Sequence, residues 1–218
     1  MSKRRKRLSV EEYLEGIRRQ DRVVLGKVFS LVESNLASDK VIAQNLLTAC
    51  KSYVSDTYRI GITGPPGVGK STFINAMGAH VIGLGEGLTV LTIDPSSEVS
   101  HGSILGDKTR MESLIGNSAV FIRPSPNAGH LGGVSQHTLN CITICEAAGY
   151  PYLFIETVGV GQSEIDIKNL CDVVLVLLLP QSGDEVQGIK KGIMEIGDFF
   201  IVHKADGDLL KEIGRAHV

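Results

Sequence analysis

Gly64-Pro-Pro-Gly-Val-Gly-Lys-Ser71 constrains this chain more than any other stretch. It fits G-x-x-x-x-G-K-[ST], a spacing that exists to cradle phosphate. The glycines let the backbone turn tightly with its N–H groups aimed inward at phosphate oxygens. Lys70 can reach the β- and γ-phosphates, and the Ser71 hydroxyl can ligate Mg²⁺. With the flanking side chains, the phosphate-binding set is Gly64, Pro65, Pro66, Gly67, Val68, Gly69, Lys70, Ser71 and Thr72. The context is also the required one. Tyr58–Thr63 is a β-rich run before the loop, and Ser71–Met77 reads as a helix whose positive N-terminal end faces the phosphates. The stretch implies a bound nucleoside triphosphate.

A length of 218 residues suits one α/β domain with an appendage. The 22 basic and 24 acidic residues nearly cancel, so nothing global points to nucleic acid. The longest apolar run, Val173–Leu179, is too short for a membrane span and reads as a central parallel strand. Cys50, Cys141, Cys145 and Cys171 form no C-x-x-C pair, and reduced core thiols are expected. These features fit a reducing compartment, bacterial cytoplasm before mitochondrial matrix.

Residues 1–8 form a basic tail, Lys3 to Arg7, without the apolar segment a secretory signal needs. Acidic Glu11, Glu12 and Glu15 follow at once, which argues against a mitochondrial presequence, so a solvated tail is expected. Ser9-Val-Glu-Glu12 fits a capping box. Leu14, Ile17, Val24, Leu25, Val28, Leu31 and Val32 recur at helical spacing, with Asp21 opening a second helix and Ile42, Leu46, Leu47 and Cys50 marking a third. Residues 9–53 are therefore a helical region. Residues 56–211 alternate strand and helix, which predicts a mostly parallel, doubly wound α/β sheet flanked by helices, the fold of P-loop NTPases. The expected strands are 58–63, 88–93, 119–123, 151–155, 172–179 and 199–202, with a helix over 134–148.

Three of these strands end in acidic segments, at the edge where open α/β sheets bind ligands. Asp94 and Glu156, at the ends of neighbouring strands, pair naturally with Ser71 around Mg²⁺, which takes one or two carboxylates besides phosphate and water. Glu156-Thr-Val-Gly159 stands where Asp-x-x-Gly is common. The Gly159 N–H can meet the γ-phosphate, and Val160–Gln162 would shift when that phosphate leaves. Asp107 is either a further metal or water ligand or a surface turn residue. His203-Lys-Ala-Asp206 resembles the guanine-reading motif Asn-Lys-x-Asp. Asp206 can accept from guanine N1 and N2, and Lys204 can lie along the base. His203 in place of Asn means that a polar bridge to the loop is lost or remade.

Together these residues resemble the GTPase chaperones of adenosylcobalamin-dependent methylmalonyl-CoA mutase, the MeaB type and its mitochondrial counterpart, formerly called argK-type transport-system kinases. The shared stretches span residues 58–208. They include Gly64–Thr72, Asp94–Ser97, Gly102–Met111, Phe121–Pro126, Leu131–Val134, Glu156–Glu164 and Gly183–Gly192. The resemblance implies that Lys70, Ser71, Asp94, Asp107 and Glu156 serve phosphate and Mg²⁺. It implies that Lys204 and Asp206 read guanine, that GTP and GDP are the bound nucleotides, and that Gln181–Lys191 is a switch facing the mutase or a related acyl-CoA mutase. Catalysis would fall to Lys70, Asp107, Glu156 and Gly159. His101 departs from the usual Gly. Relatives continue past residue 211 with a strand, a base-contacting loop and a helical dimerisation arm, so a homodimer is expected of the full-length form and residues 212–218 read as a non-native tail. Two other classes stay open on the residues alone: a metal-insertion GTPase of the nickel-enzyme type, for which Cys/His clusters are missing, and a small-molecule kinase, for which no base nominates itself.

Overall fold

The computed structural model describes residues 7–94, 111–126, 136–157, 167–180 and 195–206. They divide into two compact units, Met1–Thr57 with Gln136–Pro151, and Tyr58–Ser135 with Tyr152–Val218.

The first unit is helical: α1 (Val10–Arg18), α2 (Arg22–Val32), α3 (Ala37–Cys50) and, after a long excursion of the chain, α5 (Gln136–Ala147). Local chemistry sets the helix starts. Ser9 Oγ accepts from the Glu12 N–H at 3.2 Å while Glu12 Oε2 accepts from the Ser9 N–H at 2.7 Å, a complete capping box. Asp21 Oδ1 caps α2 by accepting from the Val23 and Val24 N–H groups. Gly16 is required where the two helices meet, since a Cβ there would lie 2.5 Å from Val24. Tyr13, Ile17, Leu25, Val28, Phe29, Leu31, Leu46 and Cys50 are buried. Tyr13 takes the place expected of Leu14, which is only half-buried. Arg7 is not simply solvated, because its guanidinium meets the buried Asp39 carboxylate at 2.6 Å. A buried carboxylate requires such a partner. All four cysteines are free thiols. Burial pushes Cys50 up to about 11 and Cys171, in the other unit, to about 12, so neither is a thiolate at neutral pH.

The second unit is built on a parallel six-stranded sheet: β1 (Tyr58–Thr63), β2 (Leu88–Asp94), β3 (Val120–Pro126), β4 (Tyr152–Thr157), β5 (Val173–Leu178) and β6 (Phe199–Val202), in the order β3-β2-β4-β1-β5-β6. The doubly wound α/β class is as expected. The central position of β1 follows from its burial between β4 and β5, and the near-continuous apolar β5 suits a strand covered on both faces. Strands β2, β3 and β4 run one to three residues further than the sequence predicts. β3 continues through Pro124 and Pro126, which an edge strand tolerates because one side of its ladder is unpaired. Helix α4 (Lys70–Gly83) is twice the predicted length. It crosses its packing partners at Gly78, where a Cβ would stand 2.8 Å from Leu88 and 2.9 Å from Leu114. Ile62, Val68, Ile74, Leu88, Val90, Phe154 and Leu177 form the centre of the core.

Phe154 is fully buried in that core. Phe154→Ala is expected to cost about 3–5 kcal/mol, measured as a lower urea midpoint at unchanged slope.

Candidate functional site

The parallel strands deliver their carboxyl ends to one edge, and the described candidate residues gather there. The loop after β1 is shaped by its glycines. Gly64 has φ +142°, and a Cβ on it would lie 2.4 Å from the Leu177 carbonyl oxygen of β5. No side chain fits, so the loop leaves the strand pressed against its neighbour's backbone. Gly67 at φ +76° and Gly69 at φ +103° complete the curl, and the Phe73 N–H bonds the Gly69 carbonyl at 2.9 Å as α4 begins. The positive end of that helix therefore opens onto the loop.

Lys70 is buried, with its Nζ donating back to the carbonyls of Gly64 at 2.8 Å and Pro65 at 3.1 Å. The cation is thus held over the loop rather than released to solvent. Ser71 follows on the first turn and donates from Oγ to Glu156 Oε1 at 3.1 Å. Both are buried. A hydroxyl and a carboxylate brought together beside a phosphate loop are hard oxygen donors, the set that suits Mg²⁺. The donor chemistry fits that ion. Glu156 is carried to this place by register: on β4 it stands opposite Ile62 of β1 and Thr92 of β2. Asp94 ends β2 two residues beyond Thr92. Asp94 and Glu156 are therefore on adjacent strands, as predicted. Thr72 is exposed, one position past Ser71.

The third contributor is the end of β6. The His203 N–H donates to the Leu178 carbonyl at 2.8 Å, extending the β5–β6 ladder by one rung. Lys204 follows in the left-handed region at φ +57°, and its Nζ donates to the Gly67 carbonyl at 2.7 Å. His203 Nδ1 lies 2.7 Å from the Val68 carbonyl oxygen, so the polar bridge left open by the loss of Asn is made by imidazole. Asp206 is exposed two residues beyond Lys204.

Sequence reasoning missed one pair. The Thr157 hydroxyl donates to the Thr63 hydroxyl at 3.0 Å in a buried position, tying the ends of β4 and β1 together between Glu156 and Gly64. No local signal marks the pair, because the contact exists only once β1 and β4 lie side by side. Asp107, Gly159, His101, Val160–Gln162 and Gln181–Lys191 lie outside the described residues, as does the side chain of Asp94.

Residues 25–217 match the family model for methylmalonyl Co-A mutase-associated GTPase MeaB. The chain belongs to this family. It is 45% identical over 200 residues to GTPase ArgK of Escherichia coli (strain K12), covering 92% of this chain and 60% of that protein. It is 43% identical over 211 residues to the methylmalonic aciduria type A homolog, mitochondrial, of Mus musculus, covering 92% of this chain and 51% of that protein. Among solved structures, one described as LAO/AO transport system kinase superposes with a TM-score of 0.77 at 35% identity, covering 95% of this chain and 60% of that one. The chain thus spans less than two thirds of the length of these MeaB-family relatives. No helix among the described residues is long and apolar enough to cross a membrane.

The loop geometry has a measurable consequence. Gly64→Ala meets a backbone oxygen that cannot step aside, whereas Gly67→Ala has nothing within 4 Å and suffers only its positive φ. In ligand-free protein, urea unfolding is expected to show a loss of about 1–2 kcal/mol for Gly67→Ala and a clearly larger one for Gly64→Ala.

Proposed function

We propose that this chain binds and hydrolyses GTP with Mg²⁺, and that its nucleotide cycle assists cofactor loading and protection of an adenosylcobalamin-dependent methylmalonyl-CoA mutase or a related acyl-CoA mutase. The observation that carries the nucleotide reading is the 2.7 Å bond from Lys204 Nζ to the Gly67 carbonyl. A Lys-x-Asp triplet is common by chance, but one whose lysine lies on the phosphate loop can present Asp206 to the base of the same nucleotide. Family membership supports the mutase as partner.

Each described residue then has a task. The glycine N–H groups of the loop, at Gly67 and Gly69, and the amino terminus of α4 receive the phosphates. Lys70 moves from the loop carbonyls onto the β- and γ-phosphate oxygens, exchanging two neutral acceptors for charged ones. Ser71 and Glu156 would hold Mg²⁺, which supplies neutralisation of the charge on the transferred phosphoryl group. Asp94, Asp107 and the Gly159 N–H would complete the metal and γ-phosphate contacts. Lys204 supports the base, and Asp206 accepts from guanine N1 and N2. The site positions a water and stabilises charge, with the low intrinsic turnover expected of a regulated GTPase. A cytoplasmic location and a homodimer of the longer family form accompany this reading.

Glu156→Gln is expected to raise the Mg²⁺ concentration needed for half-maximal hydrolysis and to slow turnover more than it weakens nucleotide binding. Unchanged turnover at limiting Mg²⁺ would remove Glu156 from the metal set. Base choice tests the function itself. Covered by adenine, the Asp206 carboxylate loses water without gaining a donor, so GTP should outcompete ATP against a labelled GTP analogue. Asp206→Asn presents a donor and should shift preference towards xanthosine triphosphate. Equal binding of ATP and GTP, in this chain and in one extended to the family's full length, would end the GTPase reading.

A further inference from the structure

We propose that His203 is a positioning residue that couples the base-reading segment to the phosphate loop, so that base and triphosphate are recognised at a set separation. The inference rests on the nucleotide-site reading above and concerns a residue where this chain departs from the Asn of the guanine-reading motif.

A carbonyl oxygen only accepts, so the 2.7 Å contact with Val68 requires the hydrogen on Nδ1. Imidazole is held in one tautomer and one orientation. The ring also fills the space over Gly69: a Cβ there would be 2.6 Å from both Cε1 and Nδ1. The ring makes a T-shaped contact with Phe73 in the first turn of α4, with ring centroids 6.5 Å apart and planes at 88°. Its backbone is pinned to Leu178. One side chain therefore touches a loop carbonyl, a loop glycine and the helix that follows the loop, while its own backbone sets where Lys204 and Asp206 begin. A nucleotide bridges both groups. The loop then cannot shift against the base site without breaking the Nδ1–H bond.

The bond donor and the bulk of the ring can be separated. Asn places its amide nitrogen where Nδ1 stands, Gln places it further out, and Leu has no donor. The full chain is titrated calorimetrically with GTP, GDP and inorganic tripolyphosphate, after wild type has been compared on GTP and ATP. If wild type prefers ATP, the guanine reading fails and the same variants are compared on ATP, so the two ideas fail separately. His203→Leu and His203→Gln should each weaken GTP and GDP about tenfold, the scale of one net hydrogen bond. His203→Asn should return affinity to within about threefold of wild type. Tripolyphosphate, which touches the loop alone, should change by less than about twofold in every variant. The melting temperature of each ligand-free variant identifies one that has not folded, and the Leu and Gln variants substitute for each other in that event. Wild-type GTP affinity in folded His203→Leu or His203→Gln would overturn the coupling. So would failure of folded His203→Asn to recover, or a loss for tripolyphosphate equal to that for GTP.

Discussion

The close approach of Gly64 to the Leu177 carbonyl governs the rest of the site. Because no side chain can stand between them, β1 and β5 stay in backbone contact beyond their last paired residues, and the loop is obliged to curl away from the sheet. That curl turns the Gly64 and Pro65 carbonyls towards Lys70 and brings Ser71 within hydrogen-bonding distance of Glu156. The contact is steric, but what it organises is electrostatic: a cation and a helix terminus gathered beside a carboxylate and hydroxyl suited to a hard metal ion.

Much of this was legible in the chain, for identifiable reasons. The strands are short apolar runs bounded by turn residues, so their existence and order of appearance were readable, and the parallel class followed from the alternation with helices. Their ends were less so. Pro124 signals a stop by local rules, yet β3 lies at the sheet edge, where a missing N–H is harmless, and edge position is a tertiary fact. The helix after the loop runs past its expected end at Met77 although Gly78 weakens a helical pattern. A side chain at Gly78 would collide with Leu88 and Leu114, which pack against it.

Within the site, the loop residues were legible because the spacing G-x-x-x-x-G-K-[ST] is itself a phosphate-cradling pattern. Residues acting through contacts made only in three dimensions were invisible. The Thr63–Thr157 pair joins positions 94 residues apart, and nothing local distinguishes either threonine from an ordinary strand residue. His203 was noticed only as a departure, and its bond to Val68 depends on β6 lying beside β5. The helix α5 offers the same lesson at larger scale. Its apolar positions mark it as a packed helix, but not that compactness groups it with α1–α3 rather than with the strands that precede and follow it.

Strand β5 presents two successive carbonyls to two different neighbours. Leu177 faces the exit of β1 at Gly64, and Leu178 receives the N–H of His203 at the exit of β6. The backbone step from Leu177 to Leu178 is therefore the common datum from which the glycine loop and the His203–Asp206 segment are both set. It acts through main-chain oxygen, which no substitution can remove. The gauge length of the site is thus carried by a component that mutation cannot directly edit, while the jaws on either side remain free to vary.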